Sequence, residues 1–245
     1  MAERKITPAS VATEIRGILK REGSAEHSKG VQWFFKEEIK SHGWYTADLR
    51  RLALRFWRSI GKERGLDYLT QVADKLFAGR ALEDKIVAVF WLERSTASFD
   101  GEHFALFESW IGHVSSWADH DALVHYLIAP MIASKPARVH KVSEWAKSPD
   151  RWHRRAACVG LIRGPRQRIF LPQIKRLSNR LLQDEDDMVQ KGLGWLLRET
   201  AKADPKGILT NLLKIRDRAP RLVLRTACET LPVGRRKQIL FQRLQ

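Results

Sequence analysis

The chain has little of what secreted, membrane-bound or metal-dependent proteins rely on. Two of its 245 residues are cysteine, which excludes a disulfide framework. No stretch approaches the roughly 20 apolar residues that a bilayer-spanning helix needs. The opening MAERKITPAS lacks the apolar core of a signal peptide. Together these features point to a cytoplasmic protein with no membrane role. Alternating runs of β-branched residues are missing, which argues against a sheet. The spacings H-E-x-x-H and paired Cys/His are missing too, although His103, His113, His120 and His125 lie near Glu102, Asp119 and Asp121. Scattered surface histidines are the simpler reading, and no metal or cofactor is expected. Gly192-x-Gly194 follows no strand, so it is not a nucleotide fingerprint. It permits a close approach, either of backbone to DNA or of helix to helix. Acidic residues are scarce as well: 28 Asp and Glu stand against 44 Lys and Arg, a net charge of +16. That balance points to a polyanionic partner, most often nucleic acid.

What is present is a helical period. Apolar residues recur at three and four spacings in VADKLFAG, LEDKIVAVFWLER, MVQKGLGWLLRETAK and PKGILTNLLKI. Gly and Pro fall between these segments, and Pro205 behind Asp204 suits the first helical position after an N-cap. The basic carboxy-terminal GRRKQILFQRLQ reads as a capping helix. About a dozen helices are expected.

One pattern repeats: a bulky or apolar residue, two spacers, then a basic residue. It appears at Ala47–Arg50, Leu82–Lys85, Trp117–His120, Trp152–Arg155, Met188–Lys191 and Leu222–Arg225. The last residues stand at 50, 85, 120, 155, 191 and 225, steps of 34 to 36. A helix pair with its two turns takes about this length. The expected fold is therefore an all-α, HEAT-like solenoid of about six helical pairs with a concave basic groove, in one domain over residues 1–245. Cys158 and Cys228 each lie three residues after a basic site, a core position, and read as buried small hydrophobes. Stacked repeats align equivalent residues. The row Arg50, Lys85, His120, Arg155, Lys191 and Arg225 then reads either as a phosphate-binding stripe or as salt links between neighbouring repeats.

The residues after these basic sites are Arg51, Ile86, Asp121, Ala156, Gly192 and Thr226. Asp121 alone is acidic. Asp119, by contrast, is a spacer like Asp84 and reads as solvated or salt-linked. Trp117 lies four residues before Asp121 and shares its helix face. Trp152 holds the position of Trp117 one repeat on, and Trp195 lies four after Lys191. Indoles and a carboxylate suit a cationic ligand or a cationic transition state such as that of glycosidic cleavage. The plainer reading makes the tryptophans core and pairs Asp121 with Arg155 or Lys85.

Four segments carry a resemblance. SPDRWHRRAACVGLI and MVQKGLGWLLRETAKADP resemble the carboxy-terminal half of the AlkD-type DNA alkylation-repair glycosylases. SHGWYTADLRRLA resembles their amino-terminal helix-turn-helix signature, and SSWADHD their W-x-x-x-D stretch. The resemblance runs from about Ser28 to about Pro232, and QKGLGWLLRE is its most specific piece. It implies a HEAT-like solenoid that releases N3-alkyladenine and N7-alkylguanine from duplex DNA, with no metal and no flipping of the base into a pocket. It implies Asp121 as the catalytic carboxylate, Trp117 and Trp195 as rings beside the sugar, and Arg155 and Arg198 as backbone contacts. Trp152, Arg50, Lys85, Lys191 and Arg225 complete the expected DNA-binding set. A monomer that joins the nucleoid when bound to DNA is implied too. The family often shows two aromatics before its acid. Here the first is Ser116, so one ring is lost or supplied from elsewhere, and His120 beside the acid is a further departure. The competing reading is a non-catalytic HEAT-like module for damaged or branched DNA. A protein-binding scaffold accounts poorly for the charge.

Overall fold

A computed structural model describes residues 6–241. The first five residues of MAERKITPAS and the last four of the chain lie outside them. The described residues are helical and contain no strand. They divide into two compact units, one up to residue 127 and one from residue 128.

The first unit holds α1 (Pro8–Glu22), α2 (Ala25–Gln32), α3 (Thr46–Ser59), α4 (Leu66–Phe77), α5 (Leu82–Leu92), α6 (Gly101–Trp110) and α7 (Trp117–Leu123). Its repeated motif falls on α3, α5 and α7, which pack in series, with α4 against α5 and α1 against α4. All of α5 is buried. LEDKIVAVFWL is apolar nearly all round, as a helix enclosed by neighbours must be. A turn of π-helix, Val124–Ile128, follows α7.

The second unit holds α8 (Ala129–Ser134), α9 (Val139–Trp145), α10 (Arg151–Val159), α11 (Leu171–Leu181), α12 (Asp187–Ala203), α13 (Pro205–Ile215), α14 (Arg221–Cys228) and α15 (Val233–Leu240). Here the motif falls on α10, α12 and α14, again packed in series, with α9, α13 and α15 on their flanks. The repeat period thus marks successive stacked helices in each unit. The carboxy-terminal capping helix forms as α15. Asp204 caps α13, its side chain accepting from Gly207 N at 2.9 Å with Pro205 next in line, as the sequence suggests. Asp150 and Asp186 cap α10 and α12 in the same way.

Two glycines set the spacing of α12. A Cβ on Gly192 would meet Arg155 Cγ at 3.2 Å and Cys158 Cβ at 3.5 Å. A Cβ on Gly194 would stand 2.5 Å from Thr226 Cβ. Gly192 therefore admits α10 on one side and Gly194 admits α14 on the other. Of the two readings the sequence left open, the close approach is helix to helix. Cys158 and Cys228 are fully buried. Burial pushes their thiols up to about 12 and about 11 respectively, so both are inert packing residues.

Candidate active site

The seven-residue helix α7 carries the acidic pair. Ser116 is its N-cap and forms a reciprocal capping box with Asp119. One Asp119 oxygen accepts from Ser116 N at 2.8 Å and Ser116 Oγ at 2.7 Å. The other accepts from Ser115 N at 2.7 Å and from the Lys85 ammonium at 3.1 Å. Asp119 is 0% exposed and Lys85 is 4% exposed. Asp119 is thus salt-linked and not solvated. Its carboxylate starts one helix and ties it to α5. Ser116, a departure from the expected aromatic, is the residue that begins α7.

Asp121 is placed differently. Its side chain keeps 18% of its surface exposed. One oxygen lies 2.8 Å from Nδ1 of His120. A carboxylate offers only acceptors, so Nδ1 carries the hydrogen and donates it. His120 is itself fully buried, contrary to the surface histidine expected. A buried imidazole against one oxygen restrains the rotamer of a carboxylate that keeps part of its surface in solvent.

Trp117 is half-buried at the first position of α7. Its ring stacks on Phe35 with centroids 5.1 Å apart and planes 20° from parallel. Its Nε1 donates to Phe34 O at 3.4 Å. The ring absent at Ser116 thus has a counterpart in Phe35, from the segment after α2. Sequence reasoning passed over this residue, although the signal was there: Trp33-Phe34-Phe35 is a run of three aromatics at a helix end, where no apolar period explains it.

The remaining cations divide by burial. The Lys85 ammonium donates to His113 O at 2.7 Å, to Ser115 Oγ and to Asp119. Arg155 is buried, and its Nη1 donates to Met188 O, which opens α12. For these two the sequence left open a phosphate stripe or links between neighbouring repeats. The structure puts them inside repeat contacts, because each has carbonyl or carboxylate acceptors one repeat away. Trp152 is buried too, with the Arg151 guanidinium 4.6 Å from its ring centroid. Arg50 is half-buried, 2.7 Å from Glu93 Oε2 and 3.9 Å from the centroid of the Phe90 ring. Lys191 is half-exposed and lies 3.7 Å from Asp187. Arg198 meets Glu229 and lies 3.9 Å from Glu199. Burial pushes Glu199 up, but the hydrogen bond from Lys202 and the charges of Lys202, Arg166 and Arg198 win and hold it below the usual glutamate range. Trp195 is half-buried on α12 and Arg225 is exposed on α14. Among the described residues, no three His, Cys, Asp or Glu side chains gather as a metal-ligand set. None of their helices is long and apolar enough to cross a membrane.

The comparisons with known proteins bear on this arrangement. The family model for the DNA alkylation repair enzymes matches residues 15–231. The chain belongs to the DNA alkylation repair enzyme family. A solved structure described as a predicted DNA alkylation repair enzyme from Enterococcus faecalis is similar over 86% of this chain and 97% of its own, with TM-score 0.76 and 16% identity. The structure of smu.31 from Streptococcus mutans UA159 is similar over 76% of this chain and 92% of its own, with TM-score 0.56 and 21% identity. At these identities the likeness shows the fold alone. None of the curated proteins compared with the chain matches it. Membership of the DNA alkylation repair enzyme family makes DNA the partner that the net charge of +16 anticipates.

Proposed function

We propose that the protein is a monofunctional DNA glycosylase. It would hydrolyse the N-glycosidic bond of cationic alkylpurines, N3-alkyladenine and N7-alkylguanine, in duplex DNA. The observation that carries this reading is Asp121: a partly exposed carboxylate, braced by a buried imidazole, four residues from a half-buried indole.

Alkylation has already given the base a positive charge, so the base departs without a general acid. The C1′–N bond breaks and its electron pair neutralises the base. Positive charge then spreads over C1′ and the ring oxygen of the sugar. The partly exposed Asp121 carboxylate stabilises that charge and orients a water. The water oxygen bonds to C1′ and its proton passes to the carboxylate or to solvent, leaving an abasic site. Bracing by His120 matters because a carboxylate that need not reorganise stabilises developing charge best. The Trp117 face, stiffened by Phe35, adds a cation–π contact. Trp195 enters as the second ring from the resemblance of QKGLGWLLRE. Lys191, Arg198 and Arg225 are assigned to phosphates, with Lys85 and Arg155 holding repeats in register. The base need not enter a closed pocket, since the chemistry occurs at the sugar.

The test is release of free base from duplex DNA carrying N7-methylguanine. Release by the wild type, lost in Asp121→Asn with DNA binding retained, supports the reading. Tight binding with no release from any alkylated duplex would replace it with a DNA-binding module.

A further inference from the structure

Among the described residues of the first unit, the most exposed large apolar side chains lie together, beside the candidate active site. Trp33 is 91% exposed and Phe34 75% exposed. They occupy a short turn at the end of α2, where Trp33 N donates to Gly30 O at 3.3 Å and Phe34 N to Val31 O at 3.0 Å. The turn is stapled by Gln32: its Nε2 donates to Glu37 O at 2.8 Å, and its Oε1 accepts from Ile39 N at 3.1 Å. The next residue, Phe35, stacks on Trp117. The carbonyl of Phe34 itself accepts from the Trp117 indole. The tip is thus ordered, and the protein spends that order on holding two aromatic faces in water.

Isolated exposed apolar residues need no explanation, but two adjacent aromatics on a stapled turn do. Charge selects the occupant. The chain carries +16, and exposed Lys29, Lys36 and Lys40 flank the tip beside Glu38. A duplex offers both a phosphate track for cations and stacked bases for aromatic faces. Apolar wedges that enter a base step are a known device of DNA-binding proteins, and bases stack on aromatic side chains without sequence preference.

We propose that Trp33 and Phe34 form an aromatic tip that stacks into the base column of duplex DNA, next to the nucleotide held at Trp117 and Asp121. The placement rests on the functional reading above. The tip loosens the stack beside the lesion and fixes the position of the duplex relative to Asp121.

The experiment uses the full chain and a duplex with 2-aminopurine beside a tetrahydrofuran abasic-site analogue. Wild-type binding is expected to change the 2-aminopurine emission. Trp33→Ala/Phe34→Ala should abolish that change and weaken binding by roughly tenfold or more, with the salt dependence of binding unaltered and helical circular dichroism retained. Trp33→Phe should keep the response. An alanine double variant with native emission response and affinity would overturn the proposal. So would a variant whose only loss is self-association or binding to anionic vesicles. The analogue has no base to release, so this response stands or fails separately from base release on a methylated duplex.

Discussion

Asp119 and Asp121 are two residues apart on α7, and changing each to asparagine is expected to break different properties. The amide of Asp119→Asn has one acceptor oxygen instead of two. Whichever way it turns, its NH2 faces either the two Ser116 donors or the Ser115 N–H and the Lys85 ammonium. Two hydrogen bonds to a charged acceptor are lost, at about 1.5–3 kcal/mol each. The Lys85 ammonium, 4% exposed, also loses its counter-charge. Removing one partner of a buried pair costs about 3–5 kcal/mol. These losses overlap, so the total is taken as about 3–5 kcal/mol against a domain stability of about 5–15 kcal/mol. Asp121→Asn trades one charge-assisted bond to His120 for a weaker one, at about 1–2 kcal/mol. Urea unfolding followed by circular dichroism measures both. With a slope of about 1–3 kcal/mol per molar, the Asp119→Asn midpoint should fall by roughly 1–5 M, while that of Asp121→Asn falls far less. Lys85→Met on top of Asp119→Asn should recover part of the loss, because it removes the buried ammonium left without a counter-charge. An Asp119→Asn midpoint equal to that of the wild type would refute the assignment. So would equal losses in the two variants.

Other outcomes follow from the packing and the titrations. Gly194→Ala should destabilise by up to about 2 kcal/mol, from overpacking against Thr226 of about 1–3 kcal/mol less the roughly 1 kcal/mol gained in helix propensity. Gly30→Ala, where an added Cβ meets nothing within 4 Å, should stabilise by about 0.5–1 kcal/mol in the same unfolding assay. Glu199 sits below its ordinary range in the folded chain. Its contribution is therefore complete above the unfolded glutamate value and is lost as pH falls through the folded one; stability measured on the acid side should drop less steeply in Glu199→Gln. Cys158 and Cys228, with thiols raised to about 12 and about 11, should resist a thiol reagent at pH 8 until denaturant is added. Fast labelling of the native chain would contradict their burial.

The repeat was legible because stacked helices return equivalent residues to the packing seam at a constant interval. The same regularity hid what the basic residues do. A lysine in a sequence announces charge, but not whether its ammonium meets acceptors 28 to 34 residues on, as Lys85 does at His113, Ser115 and Asp119. The clue lay in its surroundings, since α5 continues as the apolar run Ile86–Leu92 and is buried on every side, and a lysine inside such a helix must be partnered. Asp119 had a readable signal too: Ser116-x-x-Asp119 ahead of an apolar run is a capping box. The singling out of Asp121 rested on register, on its spacing from Trp117 and on the resemblance of SSWADHD, and the structure adds its partly exposed carboxylate and buried His120. Phe35 was not reachable from spacing, because it meets Trp117 across 82 positions of chain. Arg155 and Trp152 looked like ligand contacts because they match the repeat. They are buried because α10 lies inside its unit, between α9 and α12.

The central claim is that Asp121 carries the chemistry and not the fold. It is tested most directly by the single-turnover rate of 7-methylguanine release from a duplex at saturating protein, wild type against Asp121→Asn, with affinity for the duplex measured alongside. The account predicts release by the wild type, a rate at least about 100-fold lower in the variant, and unchanged, salt-sensitive DNA binding. Equal rates for the two proteins would contradict it.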